Sequence, residues 1–250
     1  MKKEPLSLVI ITLNEASRIR RCIESVPFAD EVVVVDSGST DRTVEIAEQT
    51  GARVIYQTWL GYGRQKQYAV EQANNDWVLS LDADEWLSSE LAQSIENTLV
   101  APELQAYQSP RCNRFMGRWL KHGEGYPDRS LRLFHRQYAR WSSDAVHEKV
   151  DVEGAMGVLS GDLLHESQET LQQYLDKQNR YTTLQAEQLY QSGKRPAPFK
   201  LLLSPLVRFI KFYLFRRGFL DGVPGLIHIL IGCQNSFMKQ AKLLEKYVNE

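Results

Sequence analysis

Cysteine is scarce in this chain: Cys22, Cys112 and Cys233 are odd in number, widely spaced and include no C-x-x-C pair. That excludes a disulfide framework and a zinc knuckle, and it fits a reducing compartment. Low-complexity tracts and repeats with a period of about 20 to 50 residues are missing, which sets aside solenoids and disordered scaffolds. No G-x-G-x-x-G follows the first apolar run, so the phosphate loop of a dinucleotide oxidoreductase is absent. A nucleotidyltransferase that makes activated sugars would carry a glycine-rich loop where "TLNEAS" stands. Long uncharged runs are lacking too. Gly222 to Met238, broken by Pro224, Gly225, His228, Gln234 and Asn235, falls short of the ~20 apolar residues of a bilayer span. The opening "MKKEPLSLVIITLNE" is interrupted by Glu4 and Pro5 and followed by Asn14 and Glu15, so it is expected to be a strand rather than a secretory leader.

What remains is a chain of 250 residues, 43% hydrophobic and 24% charged, enough for one large domain with a core or a domain plus an appendage. Leu6 to Leu13, Glu31 to Val35, Ala52 to Tyr56 and Trp77 to Leu81 are short Val, Ile and Leu runs of the kind that strands covered on both faces require. Helical spacing separates them: Ile19, Cys22, Ile23 and Val26 form one stripe, Val44 and Ala47 another, and a less distinct segment surrounds Tyr68 to Ala73. Ser88 or Ser89 caps a further helix, Glu90 to Val100, that buries Leu91, Ile95 and Leu99. The alternation predicts an α/β fold with a doubly wound, mostly parallel sheet, which binds ligands at the carboxyl ends of its strands. Tyr107 to Leu164 changes to short pieces broken by Gly, Pro and Asn, expected to be mixed or antiparallel. Thr170 to Gln191 reads as a long helix with a stripe of Leu171, Tyr174, Leu175, Gln178, Tyr181 and Leu184.

"LSLDADEWL" ends one of those strands with Asp82, Asp84 and Glu85 crowded together. Such carboxylates repel one another unless a cation offsets them, and hard divalent ions prefer oxygen ligands supplemented by substrate phosphates. Alone, the triplet reads equally well as a solvated loop. In a parallel sheet, however, it emerges on the same edge as "TLNE", Thr12 to Glu15, and "VDSGSTDRT", Asp36 to Thr43, where Gly38 permits a tight turn.

The ordered set "VIITLNE", "VVVVDSGSTDRT", "GRQKQYA" and "LSLDADE" resembles the nucleotide-sugar half of an inverting glycosyltransferase of the large family 2 (GT2), with the GT-A fold. "RLFHR", "VHEKV", "LLHES" and "YLDKQNRY" extend the resemblance to the WaaE-like β-1,4-glucosyltransferases of the lipopolysaccharide inner core. It implies a Rossmann-like GT-A sheet flanked by helices, with residues 1–104 holding the nucleotide sugar, 105–192 an acceptor half and 193–250 a basic helical tail. It implies that Thr12, Leu13, Asn14, Glu15, Asp36, Gly38 and Lys66 surround the uridine and diphosphate. By the same resemblance Asp82 would lie near ribose and metal, Asp84 would be the main ligand to Mg²⁺ or Mn²⁺, and His165 would complete the coordination. Each has a plainer reading. Glu15 suits a helix start, Asp36 a turn cap, Lys66 a solvated helix face and His165 a structural histidine. Inverting transfer also needs a carboxylate as general base. "DAVHEKV" offers Glu148, favoured for its His-Glu pair, with Asp144 in reserve; a strand-edge pairing of Glu148 with Lys149 is the plain alternative. Arg129, just before "SLRLF", and Arg132, within it, stand as holders of phosphate or acceptor charge, or as solvated strand positions.

From Gly193 onward ten Lys or Arg face three Asp or Glu, a balance of +7, against 20 basic and 28 acidic residues, −8, in the rest. "PLVRFIKFYLFRRGFL" mixes aromatic and aliphatic residues with Arg208, Lys211, Arg216 and Arg217, as a helix lying at an anionic headgroup boundary does. Packing of the tail on the domain or on a second subunit is the competing reading. The expectation is a UDP-sugar donor, a lipid-anchored oligosaccharide acceptor and a peripheral place on the cytoplasmic face of the inner membrane, with no nucleic acid, because no binding motif is present and the remainder is acidic. Transfer of glucose from UDP-glucose to a heptose leads; another envelope or capsule acceptor, or a non-catalytic scaffold with a degenerate fold, is the alternative.

Overall fold

The computed structural model describes residues 3–142, 148–167 and 170–248, and the chain divides into two compact units, Met1–Arg111 with Asp128–His165 and Cys112–Pro127 with Glu166–Glu250. The long helix expected to close the acceptor half therefore belongs with the tail, because its neighbours in the second unit are tail residues.

In chain order β1 (Leu6–Thr12), α1 (Ile19–Glu24), β2 (Glu31–Asp36), α2 (Thr43–Gln49), β3 (Arg53–Tyr56), α3 (Tyr62–Glu71) and β4 (Trp77–Asp82) alternate as the apolar runs predict. Then come β5 (Glu85–Leu87), α4 (Ser89–Val100), β6 (Ala106–Phe115), β7 (Arg118–Trp119), β8 (Asp128–His135), β9 (Ala139–Trp141), β10 (Val150–Val152), β11 (Gly157–Val158) and β12 (Leu163–His165). The sheet runs β3-β2-β1-β4-β8-β6-β12-β5. β3, β2, β1 and β4 are parallel, whereas β8 is antiparallel to β4 and to β6, and β12 is antiparallel to β5. The first unit is thus a parallel, helix-flanked half continued by a mixed half.

Strand alternation sorts its core into two layers. Leu6, Leu8 and Ile10 of β1 face Ile19 and Cys22 of α1, together with Leu91, Ile95 and Leu99 of α4. Val9 and Ile11 face the other way, toward Ala69 and Val70 of α3 and Trp141 of β9. Each fully buried Leu or Ile contributes about 1.5–3 kcal/mol through its area alone. Ser88, not Ser89, caps α4: its hydroxyl accepts the Leu91 N–H at 3.2 Å. α3 begins at Tyr62, well before the Tyr68 to Ala73 segment that apolar spacing marks. Its buried face is built from Gly63, Gln65 and Lys66 as well as Ala69 and Val70, so half of that face carries no hydrophobic signal.

In the second unit, Asp221 is buried and holds the 112–127 segment, accepting the His122 N–H at 2.8 Å and the Lys121 N–H at 3.3 Å. α5 (Leu171–Gln191) opens on a capping box, with Thr170 and Gln173 exchanging side-chain and backbone hydrogen bonds. α6 (Phe199–Phe209) contains Pro205 and continues as a π-helical stretch, Ile210–Phe215, then a short 3₁₀ turn, Gly218–Asp221, and α7 (Gly222–Val248). The predicted stripe on α5 follows its less exposed face from Tyr174 through Leu175 and Gln178 to Tyr181 and continues into the buried Thr182 and Ala186, while its two ends, Leu171 and Leu184, are exposed. It meets α7 through both polar and aromatic contacts, Asn235 Nδ2 donating to Gln178 Oε1 at 2.8 Å, Lys242 Nζ to Thr182 Oγ1 at 2.9 Å, and the Tyr190 and Tyr247 rings meeting edge to face at 5.0 Å. Gly232 is fixed by close approach, since a Cβ there would lie 2.3 Å from the Glu124 carboxylate. No helix among the described residues is long and apolar enough to cross a membrane.

Candidate active site

Strand register brings the polar strand ends of the first unit together. Thr12 pairs with Asp36 across β1 and β2, and Ile11 pairs with Asp82 across β1 and β4. The loops after β1 and β2 are then tied to each other. The Asn14 N–H donates to Ser39 Oγ at 2.8 Å, the Thr40 N–H to Asn14 Oδ1 at 2.8 Å and the Glu15 N–H to Thr43 Oγ1 at 2.7 Å. Asn14 adopts a left-handed φ of 56°, which its short polar side chain tolerates. Asp36 is buried, and one of its oxygens accepts the N–H groups of Gly38 and Ser39, both at 2.8 Å, while Gly38 turns the chain at φ 105°. Asp36 and Asn14 are therefore shapers of this rim. Leu13 stands half exposed on it. Thr12 Oγ1 is buried with no hydrogen-bond partner among the described residues, a polar atom left over at the carboxyl end of β1. Glu15 pairs with Arg18 at 2.5 Å; burial, aided by the charges of Asp84 and Asp41, nevertheless raises its carboxyl above the ordinary range.

The three carboxylates after β4 separate into two roles. Glu85 is fully buried and receives Arg132 through two guanidinium hydrogen bonds, Nε to Oε2 at 2.9 Å and Nη2 to Oε1 at 2.8 Å. Arg111 approaches it at 3.5 Å while gripping Asp128, and the Asp82 N–H donates to Glu85 Oε2 at 3.2 Å. Burial alone would raise the Glu85 carboxyl, but the charge and hydrogen bonds of Arg132, with Arg111 and His165 beyond, hold it well below the ordinary range. Glu85 is thus an internal counterion. This also corrects the reading of Arg132, which is buried and committed to Glu85, with Asp82 Oδ2 at 3.4 Å; Arg129 is an exposed strand position.

Asp82 faces a second cation. Lys66, buried on α3, donates to Asp82 Oδ2 at 3.0 Å and stands 3.6 Å from Glu148 Oε1, over the ring of Trp141 at 4.7 Å. Its solvated-face reading is therefore set aside. Gly63 makes the approach possible, because a Cβ there would lie 2.1 Å from the Ser142 carbonyl oxygen and 3.4 Å from Glu148 Cβ. Asp144 lies outside the described residues. Asp84 turns instead to His165, Oδ2 to Nε2 at 3.3 Å, since His165 on β12 is in register with Glu85 on β5.

Octahedral ligands about 2.1 Å from one ion sit roughly 3 Å apart, so the Asp84–His165 separation of 3.3 Å fits two neighbouring positions. Asp82 is held by Lys66 and Arg132, and no group of three or more His, Cys, Asp or Glu able to enclose a metal occurs among the described residues. That suits an ion held by a few protein ligands and completed by substrate phosphates rather than a protein cage.

Sequence reasoning missed three supports. Trp141 is buried, donates Nε1–H to Ser80 at 3.2 Å and lies under both Lys66 and Arg132. Gln65 is fully buried and bonds Ser37 and Gln57, fixing the turn before α3; its neighbour Gln67 accepts the Trp141 N–H at 3.0 Å. Both glutamines stand within "GRQKQYA", but side chains aimed at backbone leave no periodic signal. Glu85 was seen, but its partner was not.

Residues 7–157 match the family described as Glycosyl transferase family 2. Over 254 residues the chain is 35% identical to "Lipopolysaccharide core biosynthesis glycosyltransferase LpsC" of Rhizobium meliloti (strain 1021), covering 98% of this chain and 94% of that protein. It is 36% identical over 258 residues to an uncharacterized glycosyltransferase of Rickettsia felis, covering 97% and 90%. A crystal structure of glucosyl-3-phosphoglycerate synthase from Mycobacterium tuberculosis with Mn²⁺, UDP and glucosyl-3-phosphoglycerate is 27% identical over 44% of each chain, with a TM-score of 0.38. With a family match across more than half its length and relatives aligned nearly end to end, the chain belongs to glycosyl transferase family 2 and is a glycosyltransferase.

Proposed function

We propose that this glycosyltransferase inverts the anomeric centre as it moves a hexose, glucose from UDP-glucose, to a heptose of the lipopolysaccharide inner core, with Mg²⁺ or Mn²⁺ bound. The observation that carries the reading is the convergence of Asp84–His165 and Asp82–Lys66–Glu148 at one sheet edge, beside the orphaned Thr12 hydroxyl. Relatedness to a lipopolysaccharide core glycosyltransferase along nearly the whole chain supports the acceptor class.

The rim loops shape a pocket for the nucleoside, in which Thr12 Oγ1 supplies a free hydroxyl and Asp36 and Gly38 keep the turn open. Asp84 and His165 would hold the ion, and a bound ion neutralises charge on a departing diphosphate without a proton. Glu148 takes the proton of the acceptor hydroxyl as its oxygen bonds to the anomeric carbon, and the bond from that carbon to the diphosphate oxygen breaks, releasing UDP. Lys66 lies between Asp82 and Glu148, so one ammonium compensates carboxylates on the donor and acceptor sides. Asp144 is the second choice of base.

The tail supports a peripheral membrane role. No residue of α6 is buried, Leu202 and Phe215 are 79% and 80% exposed, and Lys200, Lys211, Arg216 and Arg217 accompany them. An apolar surface with cations gains from both acyl burial and anionic headgroups. Arg208 is removed from the expected lipid-facing set, because it donates to Glu124 Oε2 and Ser236 Oγ, both at 2.9 Å.

The test is transfer by the purified protein from radiolabelled UDP-glucose, UDP-galactose and GDP-mannose to truncated core lipids. Label from UDP-glucose on a heptose-terminated lipid is the expected result. Label on a heptose-free envelope glycan alone would replace the acceptor, and turnover undiminished by chelation would remove the ion.

A further inference from the structure

α5, α6 and α7 of the second unit enclose a polar pocket of about 100 Å³, whose lining includes Gln178, Tyr181, Gln185, Arg208, Ser236 and Lys239 and no carboxylate. All of these residues lie beyond the matched segment 7–157, so nothing in the family match accounts for them. Arg208 is already matched by Glu124 and donates to Ser236. Lys239 is different. The half-buried ammonium has no ion pair or hydrogen bond among the described residues, and neither do the Tyr181 hydroxyl and the Gln185 amide. Burial pushes Lys239 below the ordinary lysine range, and the charges of Arg208 and Lys194 push it further.

A half-buried ammonium with two further cations nearby, and no carboxylate in the pocket lining, is relieved by an anion, and the half-buried Tyr181 phenol and exposed Gln185 amide match the hydroxyls of a sugar or glycerol. The pocket is roomy enough for a phosphate, and its walls are three packed helices. Asn235 Nδ2–H to Gln178 Oε1 at 2.8 Å braces α5 against α7, and the Arg208 bond to Ser236 braces α6 against α7. We infer that this pocket binds a phosphate ester carried on a hydroxylated body, with Lys239 meeting the phosphate and Tyr181 and Gln185 the hydroxyls. The phosphate could belong to a phosphorylated saccharide or to a phospholipid headgroup, and both present the same chemistry to Lys239.

Acetylation of the full chain by acetic anhydride at pH 8, read lysine by lysine by peptide mass spectrometry, tests this apart from catalysis. Probes are glucose 6-phosphate, glucose, and vesicles of phosphatidylglycerol or phosphatidylcholine. A phosphate probe at ten times its dissociation constant slows Lys239 acetylation about tenfold, because only the free fraction reacts, while Lys200 on α6 is unchanged. Protection by glucose 6-phosphate but not glucose assigns a phosphorylated saccharide; protection by phosphatidylglycerol vesicles alone assigns a headgroup. Gln185→Leu weakens protection severalfold in either case. Equal Lys239 acetylation with every probe, or equal protection by glucose, overturns the inference.

Discussion

The sheet edge of the first unit and the α6 segment of the second break opposite rules of burial. At the edge, charged groups are inside: Lys66, Glu85 and Arg132 are buried, each held by a counterion. Along α6, apolar groups are outside, with Phe199, Leu202 and Leu206 more than half exposed. Both arrangements cost folding free energy, the first through desolvation and the second through hydrated hydrocarbon. The lesson is that the two departures call for different ligands. The edge compensates its buried charges internally, whereas α6 leaves hydrocarbon exposed that either an apolar phase or an apolar protein surface would cover.

The comparison breaks most sharply at the edge. Glu148→Gln removes the proposed base and is expected to lower kcat by about 10²–10⁴ with UDP affinity retained, read by steady-state kinetics beside calorimetry. An unchanged kcat moves the base to Asp144. Next in size, Arg132→Met leaves the buried Glu85 with Arg111 at 3.5 Å as its nearest remaining cation and is expected to cost about 3 kcal/mol in denaturant unfolding. Adding Glu85→Leu should recover most of that loss, and failure of the recovery would mean that Glu85 is stabilised by something other than its arginine.

The same carboxylate gives a pH dependence. Because the folded state lowers the Glu85 pKa, its contribution is complete above the unfolded glutamate range and is lost as pH falls below that range toward the folded value. Wild-type stability should therefore decline on acidification more steeply than that of Glu85→Gln, measured by urea midpoints from pH 6 down to pH 3. The smallest effect belongs to α6 and its continuation. Lys211→Gln, Arg216→Gln and Arg217→Gln together should weaken sedimentation with anionic vesicles by about 1 kcal/mol per charge, an effect that salt mimics. Arg208→Gln should instead lower stability, since its partners are Glu124 and Ser236.

The strand-and-helix order of the first unit was legible because β1, β2 and β4 are covered on both faces and so are written as unbroken apolar runs. The convergence of Thr12, Asp36 and Asp82 followed from parallel connectivity alone. What could not be read was which carboxylate turns inward: Asp82, Asp84 and Glu85 look alike in sequence, and their division depends on Arg132, Lys66 and His165 arriving from distant segments. α3 was indistinct for a related reason, since its buried face carries Gln65 and Lys66, which pack through hydrogen bonds rather than hydrophobic area, whereas α5 was legible over nearly its whole length.

Asp84 is the residue through which the proposed donor site would depend on an ion. Thermal melting of the full chain with UDP, with and without Mn²⁺, and of the Asp84→Ala variant measures that directly. Stabilisation by UDP that requires Mn²⁺ in the wild type and disappears in Asp84→Ala is the result expected. An equal shift with chelator present, or one that survives the substitution, would contradict it.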